Sequence, residues 1–184
     1  IERSGKMSKS AGEFLRVQLL IDKGFHPLAY RLMCLQAHYR SELEFSWEGL
    51  QAAFTRLKRM VMAWEKIRET EPPVNFQPTS IGSILSNHLD DFETAVSDDL
   101  NTPRGLTTFE NLLFDKGIKP QEKGVAILKM DEVLGFGFAS LSRSHLRIRP
   151  KAAVITEEEI EAALAARKEA RAAKDFTKSD AIRD

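Results

Sequence analysis

Two lysines three positions apart, Lys6 and Lys9, bracket a short run, Lys6-Met7-Ser8-Lys9-Ser10, with Gly5 before it and Gly12 soon after. The flanking glycines give the segment room to move, so the run reads as a hydroxyl-rich loop able to carry two ammonium groups onto a polyanion. Lysine suits that task because it is a compact point charge on a long stem. The chemistry that fits is closure over a triphosphate, with neutralisation of the charge that builds on departing pyrophosphate. A solvated basic loop has the same composition, and the pentapeptide alone does not separate the two.

Other residues compete for attention. His38 and Arg40 lie near the end of a helical pattern, and His38 is seven positions after Arg31, so the three can line one polar surface. The plainer reading, which we favour, turns Tyr39 inward and leaves its neighbours to serve the helix end, where cations are welcome. Asp98 and Asp99 invite a metal or acid–base role, but they also precede Thr102-Pro103, where acidic groups stabilise a helix start, and that reading is preferred. Cys34 falls between apolar residues of a periodic helix and reads as a core thiol, and the four histidines are scattered without metal-ligand spacing. Arg143, Arg147 and Arg149 crowd one irregular stretch, and Arg167, Arg171 and Lys174 recur at spacings of four and three along one helix. These six are the candidates for contact with RNA phosphates. A solvated face balanced by Glu157, Glu158, Glu159, Glu161 and Glu169 is the alternative. No aromatic residue interleaves with them, so stacking on unpaired bases is not indicated.

The elements that position these residues are helices. A short run from Arg16 to Lys23 stops at Gly24, and Pro27 opens a helix carrying Leu28, Leu32, Leu35 and Tyr39. Ser46 caps the clearest helix, whose Trp47, Leu50, Phe54, Leu57, Val61 and Trp64 form one apolar stripe suited to antiparallel packing. Three prolines between Glu69 and Pro78 cannot continue it. Helices are then expected around Ile84 to Val96, from Thr102-Pro103 to Phe114, and from Gln121 to Leu134, the last stopping at Gly135. Beyond the irregular stretch from Ser140 to Lys151, Thr156 and Glu159 form a capping box for a helix to about Lys174, with Ile155 and Ile160 at staple spacing. Asp175 caps one more helix. The expected fold class is mainly α, in three parts: 1–75, 76–150 and 151–184.

Charge is balanced, with 27 basic and 27 acidic side chains, so any hold on RNA must come from local patches. One cysteine excludes an internal disulfide and a Cys-rich zinc site, and fits a reducing compartment. No apolar run reaches membrane-spanning length. The opening on Ile1 and the helical pattern still running at Asp184 suggest a piece of a larger protein.

Several segments resemble one family in order along the chain. Gly5-Lys6-Met7-Ser8-Lys9-Ser10-Ala11-Gly12-Glu13-Phe14 is similar to the second signature of class I aminoacyl-tRNA synthetases. The block from His38-Tyr39-Arg40 to Phe45-Ser46, then Asp98-Asp99-Leu100-Asn101-Thr102-Pro103, then Ala173-Lys174-Asp175-Phe176 with Ile182-Arg183-Asp184, resemble the cysteinyl-tRNA synthetases. Glu13 stands where that family commonly has Asn, and Gly105 where Ala is usual, a change worth roughly 1 kcal/mol of helix propensity. The resemblance implies a parent that activates L-cysteine with ATP and Mg2+ and transfers it to tRNA(Cys). Lys9 would stabilise the transition state, with Lys6, Met7, Ser8 and Ser10 completing the ATP-contacting loop. It also implies a stem-contact linker unit, a DALR-type antiparallel helical bundle and the start of an anticodon-side module. The Zn2+ ligands would lie upstream, with no metal ligand in this chain. A cytoplasmic, monomeric parent follows from the same resemblance, as does inactivity of this chain alone. The alternatives are a cysteine:amino-sugar ligase of the mycothiol type, which needs no tRNA-reading tail, and a non-catalytic module that binds tRNA or protein.

Overall fold

The computed structural model describes residues 16–70 and 83–183. Among them are eight helices, α1 (Val17–Asp22), α2 (Pro27–Leu35), α3 (Trp47–Thr70), α4 (Ser83–Ser97), α5 (Thr102–Phe114), α6 (Pro120–Leu134), α7 (Glu157–Ala172) and α8 (Phe176–Arg183). The mainly α expectation holds, and no described helix is long and apolar enough to cross a membrane. The chain divides into two compact units, the first running to Ile148 and the second beginning at Arg149.

In the first unit the helix signals act as chemistry requires. Pro27 opens α2 at a position where its missing N–H would be unpaired anyway. The ring of His26 caps that helix, accepting the Leu28 N–H at 3.2 Å. Ser46 Oγ accepts from Gly49 N at 2.9 Å and starts α3. Asn101 caps α5 through the Arg104 N–H. Gly135 ends α6 in the left-handed region, φ 67°, which its missing Cβ permits.

Around α3 the core forms. Its Leu50, Leu57, Met60, Val61 and Trp64 face Leu106, Phe109 and Leu112 of α5 and Ile127, Met130 and Leu134 of α6, all buried. Burial of each such side chain stabilises by about 1.5–3 kcal/mol. This core is continuous from α1 to Leu146, so the helices before and after residues 71–82 share it, although those linker residues themselves lie outside the described ones. Gly105 has a packing reason. A Cβ there would stand 3.2 Å from Val96 Cγ1 and 3.4 Å from Phe92 Cε2, so the glycine allows α5 to lie close on α4.

The irregular chain after α6 is part of this core. Phe138 is fully buried, edge-on to Trp64 with centroids 6.0 Å apart and near Phe109 at 5.3 Å. Trp64 Nε1 donates to Phe138 O at 2.6 Å. The buried Asp131 carboxylate accepts the N–H groups of Phe136 (2.8 Å) and Phe138 (2.7 Å), which fixes the turn. Arg31 Nε donates to Leu134 O at 2.6 Å and occupies the carbonyl end of α6.

The second unit is an α7–α8 pair. Its capping box is complete: Thr156 Oγ1 accepts from Glu159 N, and the Glu159 carboxylate accepts from Thr156 N at 2.7 Å. Asp175 caps α8 by accepting from Lys178 N. Two sequence expectations need correction. The Pro27 helix does not reach Tyr39 but stops at Leu35, because the chain beyond Gln36 turns towards Asp99. The Thr156 helix stops at Ala172, so Lys174 is off the helix, at φ 58°.

Candidate functional site

The loop residues Lys6, Met7, Ser8, Lys9 and Ser10, and Glu13 beside them, lie outside the described residues. The other quoted segments are described up to Arg183, and two of them meet in space. After α4 the backbone turns through two consecutive left-handed residues, Asp99 (φ 52°) and Leu100 (φ 53°). Thr102 N then donates to Leu100 O at 2.6 Å, closing a tight turn about Asn101. Left-handed conformations in residues with a Cβ cost about 1 kcal/mol or more each, so the surroundings must hold them.

The surroundings are His38, Tyr39 and Arg40. Tyr39 Oη donates to Asp99 Oδ1 at 2.7 Å, Arg40 Nη2 donates to the same oxygen at 3.0 Å, and Arg40 Nε donates to Tyr39 Oη at 2.9 Å. His38 Nδ1 accepts from Arg40 N, which leaves the proton on Nε2, and Nε2 donates to the Asp99 carbonyl at 3.0 Å. The preferred reading of Tyr39 fails here: it does not pack inward but is 59% exposed. Asp98 and Asp99 do stand just before the start of α5, whose cap is Asn101. Arg31 and His38 do not share a surface task, since Arg31 is spent on the end of α6. Asp99 is a clasp for the chain leaving α2. Both side-chain donors meet its Oδ1, and no metal-holding group of His, Cys, Asp or Glu occurs among the described residues.

The basic candidates divide by what already holds them. Arg143 is anchored to Glu65: its backbone N–H donates to Oε1 at 2.8 Å, and its Nε stands 2.6 Å from Oε2. Arg147 lines an open groove of about 410 Å3 with Lys58 and Met62. In the second unit, Arg149 Nη2 donates to Ile155 O at 2.6 Å and Ala153 O at 3.3 Å, fastening the chain before α7. Arg167 Nε is buried with no hydrogen-bond partner among the described residues. Arg171 and Lys174 are exposed, Lys174 at the left-handed position where Asp175 N donates back to Ala170 O and Lys174 N to Arg171 O. That is a Schellman ending with lysine where glycine is common.

Electrostatic shifts have plain causes. Burial lowers His26, helped by the neighbouring His145, and so preserves the ring as a cap acceptor. Burial raises Tyr30, with Cys34 beside it. Cys34 is half-buried, in keeping with a thiol of the helix interior. Hydrogen bonds from Thr156 hold the Glu159 carboxyl below the usual carboxylate range. Sequence reasoning missed Glu65, Asp131 and the task of Arg31. A lone acid inside the apolar period of α6 was the available signal for Asp131; the partners of Glu65 and Arg31, 78 and 103 positions away, left none.

No family model matches the chain. Among curated proteins it is similar to "Cysteine--tRNA ligase" of Novosphingobium aromaticivorans, 61% identical over 184 residues, all of this chain and 37% of that protein. The protein of the same name from Zymomonas mobilis is 41% identical over 212 residues, covering all of this chain and 41% of its own length. That from Treponema denticola is 32% identical over 200 residues, covering all of this chain and 40% of its own. The chain thus spans about two fifths of the length of the relatives it matches. Similarity this high, sustained from one end of the chain to the other, means that the chain belongs to the cysteine–tRNA ligase family.

Proposed function

We propose that this chain is part of an enzyme that activates L-cysteine with ATP and transfers it to tRNA(Cys). The observation that carries the reading is the 61% identity to a cysteine–tRNA ligase along the whole chain. In that reading Lys9 stabilises charge on pyrophosphate as the cysteine carboxylate attacks the α-phosphate, and Lys6, Met7, Ser8 and Ser10 shape the loop around ATP and its Mg2+. Zn2+ belongs to a part of the enzyme outside this sequence. Residues 1–75 serve as loop and stem-contact linker, 76–150 as the DALR-type bundle, and 151–184 as the start of the anticodon-side module. The enzyme works in the cytoplasm as a monomer.

For tRNA the chain offers Arg147, Arg171 and Lys174 as exposed cations, with Arg143, Arg149 and Arg167 beside them in sequence. Arg143 and Arg149 already hold protein partners and contribute chiefly by shaping their loops. The Asp99 clasp supports a positioning role for the His38–Arg40 segment, which it ties to the start of α5. The test is binding of tRNA(Cys) to this chain across a salt series. Binding that weakens steeply with salt, and whose salt slope falls by about one for each of Arg147, Arg171 and Lys174 changed to alanine, is expected. Binding indifferent to salt and to these three residues contradicts the assignment.

A further inference from the structure

A cavity of about 520 Å3 opens between α3 and the turn that joins α5 to α6. Its lining mixes apolar side chains, Phe114, Met62 and Ile118, with charged ones. Arg59 and Lys66 come from α3, Lys116 from the turn and Lys123 from the first turns of α6. Asp115 is the acid that lines it, and its Oδ1 is engaged by Gly117 N at 2.6 Å. Four cations therefore face one carboxylate that already has a donor.

Lys123 is the unusual member. It is only 6% exposed, although lysines are almost never buried without a partner. An ammonium has three donors. The acceptor found among the described residues is Leu113 O, at 3.5 Å, the outer limit of a hydrogen bond. Desolvation accordingly lowers its pKa, with Asp115 acting in the opposite direction. The same cavity meets the start of α6. Its N-cap, Lys119, gives the first turn no side-chain acceptor, and Pro120, which lines the cavity, has no N–H of its own. The next N–H groups carry the positive end of a four-turn helix. A buried ammonium bonded to Leu113 O, a helix start without a side-chain cap and three further cations line one space.

We propose that this cavity binds a phosphate group, held by the Lys123 ammonium and the first-turn N–H groups of α6, with Arg59, Lys66 and Lys116 supplying the surrounding positive field. Tetrahedral oxygens provide the several acceptors that Lys123 lacks, at a helix start of the kind that takes anions. The phosphate comes either from an RNA backbone or from solution as the free ion. Binding of the free ion does not depend on cysteine activation, so its failure is separable from failure of the proposed function; only the RNA arm rests on that reading.

The experiment is titration of this chain with inorganic phosphate, followed by backbone amide NMR against chloride at equal ionic strength. Saturable shifts are expected at Gly117, Glu122 and Lys123. Lys123→Met, which fills the same volume without charge, should weaken binding about tenfold or more. The surface pair Lys66→Ala with Lys116→Ala, which leaves the core untouched, should weaken it about fivefold. A short RNA duplex added next names the source: shifts at the same amides, reversed by phosphate, identify an RNA backbone, and phosphate binding that RNA leaves unaltered identifies the free ion. Absence of saturable shifts, equal shifts with chloride, or unchanged affinity in both variants overturns the proposal.

Discussion

The two units of the chain hold themselves together by different means. The first is built on long-range contacts: Trp64 and Phe109 pack on Phe138, Trp64 donates to the Phe138 carbonyl 74 positions on, and Arg31 donates to Leu134 O 103 positions on. In the second, Ala170 and Ser179 are the buried side chains among the described residues, while Val154, Ile155, Ile160, Leu164 and Phe176 are exposed. Order there comes from neighbours in sequence, through the capping box, the Schellman ending, the Asp175 cap and the Arg149 fastening. A two-helix unit cannot bury enough apolar surface to dominate its own stability, so local hydrogen bonds carry a larger share.

Substitutions should separate these two kinds of order. Trp64→Ala removes the largest aromatic of the core together with its hydrogen bond to Phe138 O, and should cost the first unit about 3–5 kcal/mol in urea unfolding. A loss under about 1 kcal/mol would mean that the aromatic cluster is not the keystone described. Next comes Asp99→Ala, which deletes the acceptor for Tyr39 and Arg40 and leaves alanine in a left-handed position. About 1–2 kcal/mol should be lost, with amide exchange rising at residues 38–40 and 99–101 together. Faster exchange at only one of the two segments breaks the clasp.

Smaller effects belong to the second unit. Thr156→Ala should cost α7 about 1 kcal/mol. Its partner Glu159 adds a pH dependence of fixed sign. The carboxyl is lowered in the folded state, so what it stabilises is present above its unfolded pKa and disappears as pH falls through the folded value. Amides of the first turn of α7 should therefore lose protection on acidification below the usual carboxylate range in the native chain, and show no such step in Glu159→Gln, whereas Thr156→Ala, which keeps the backbone N–H that Glu159 accepts, should retain most of it. Lys174→Gly runs the other way, relieving the φ of 58° and stabilising the end of α7 by about 1 kcal/mol. Destabilisation by that glycine would show that Lys174 holds its turn through its side chain.

This difference also explains what could be read in advance. Thr156 with Glu159, Asp175, Ser46 and Gly135 are signals that act within five residues, and each was legible in the sequence. Tyr39 was misread because its helical spacing from Leu35 is satisfied in sequence but outbid in space by Asp99, sixty positions away. Asp98 and Asp99 stand at a helix start as their spacing suggests, but nothing local shows that Asp99 also holds Tyr39 and Arg40. Lys123 gave no sign of burial, since its environment is assembled from α3 and the α5–α6 turn. The loop of Lys6 and Lys9 stood out by residue type and spacing alone.

The central claim is tested most directly by amino-acid-dependent ATP–pyrophosphate exchange on the full-length enzyme that contains this sequence, native and Lys9→Ala, with this chain alone as control. The account predicts exchange with cysteine and no other amino acid, a fall of about a hundredfold or more in Lys9→Ala without loss of fold, and no exchange from this chain. Exchange supported by a different amino acid, or undiminished in Lys9→Ala, would contradict it.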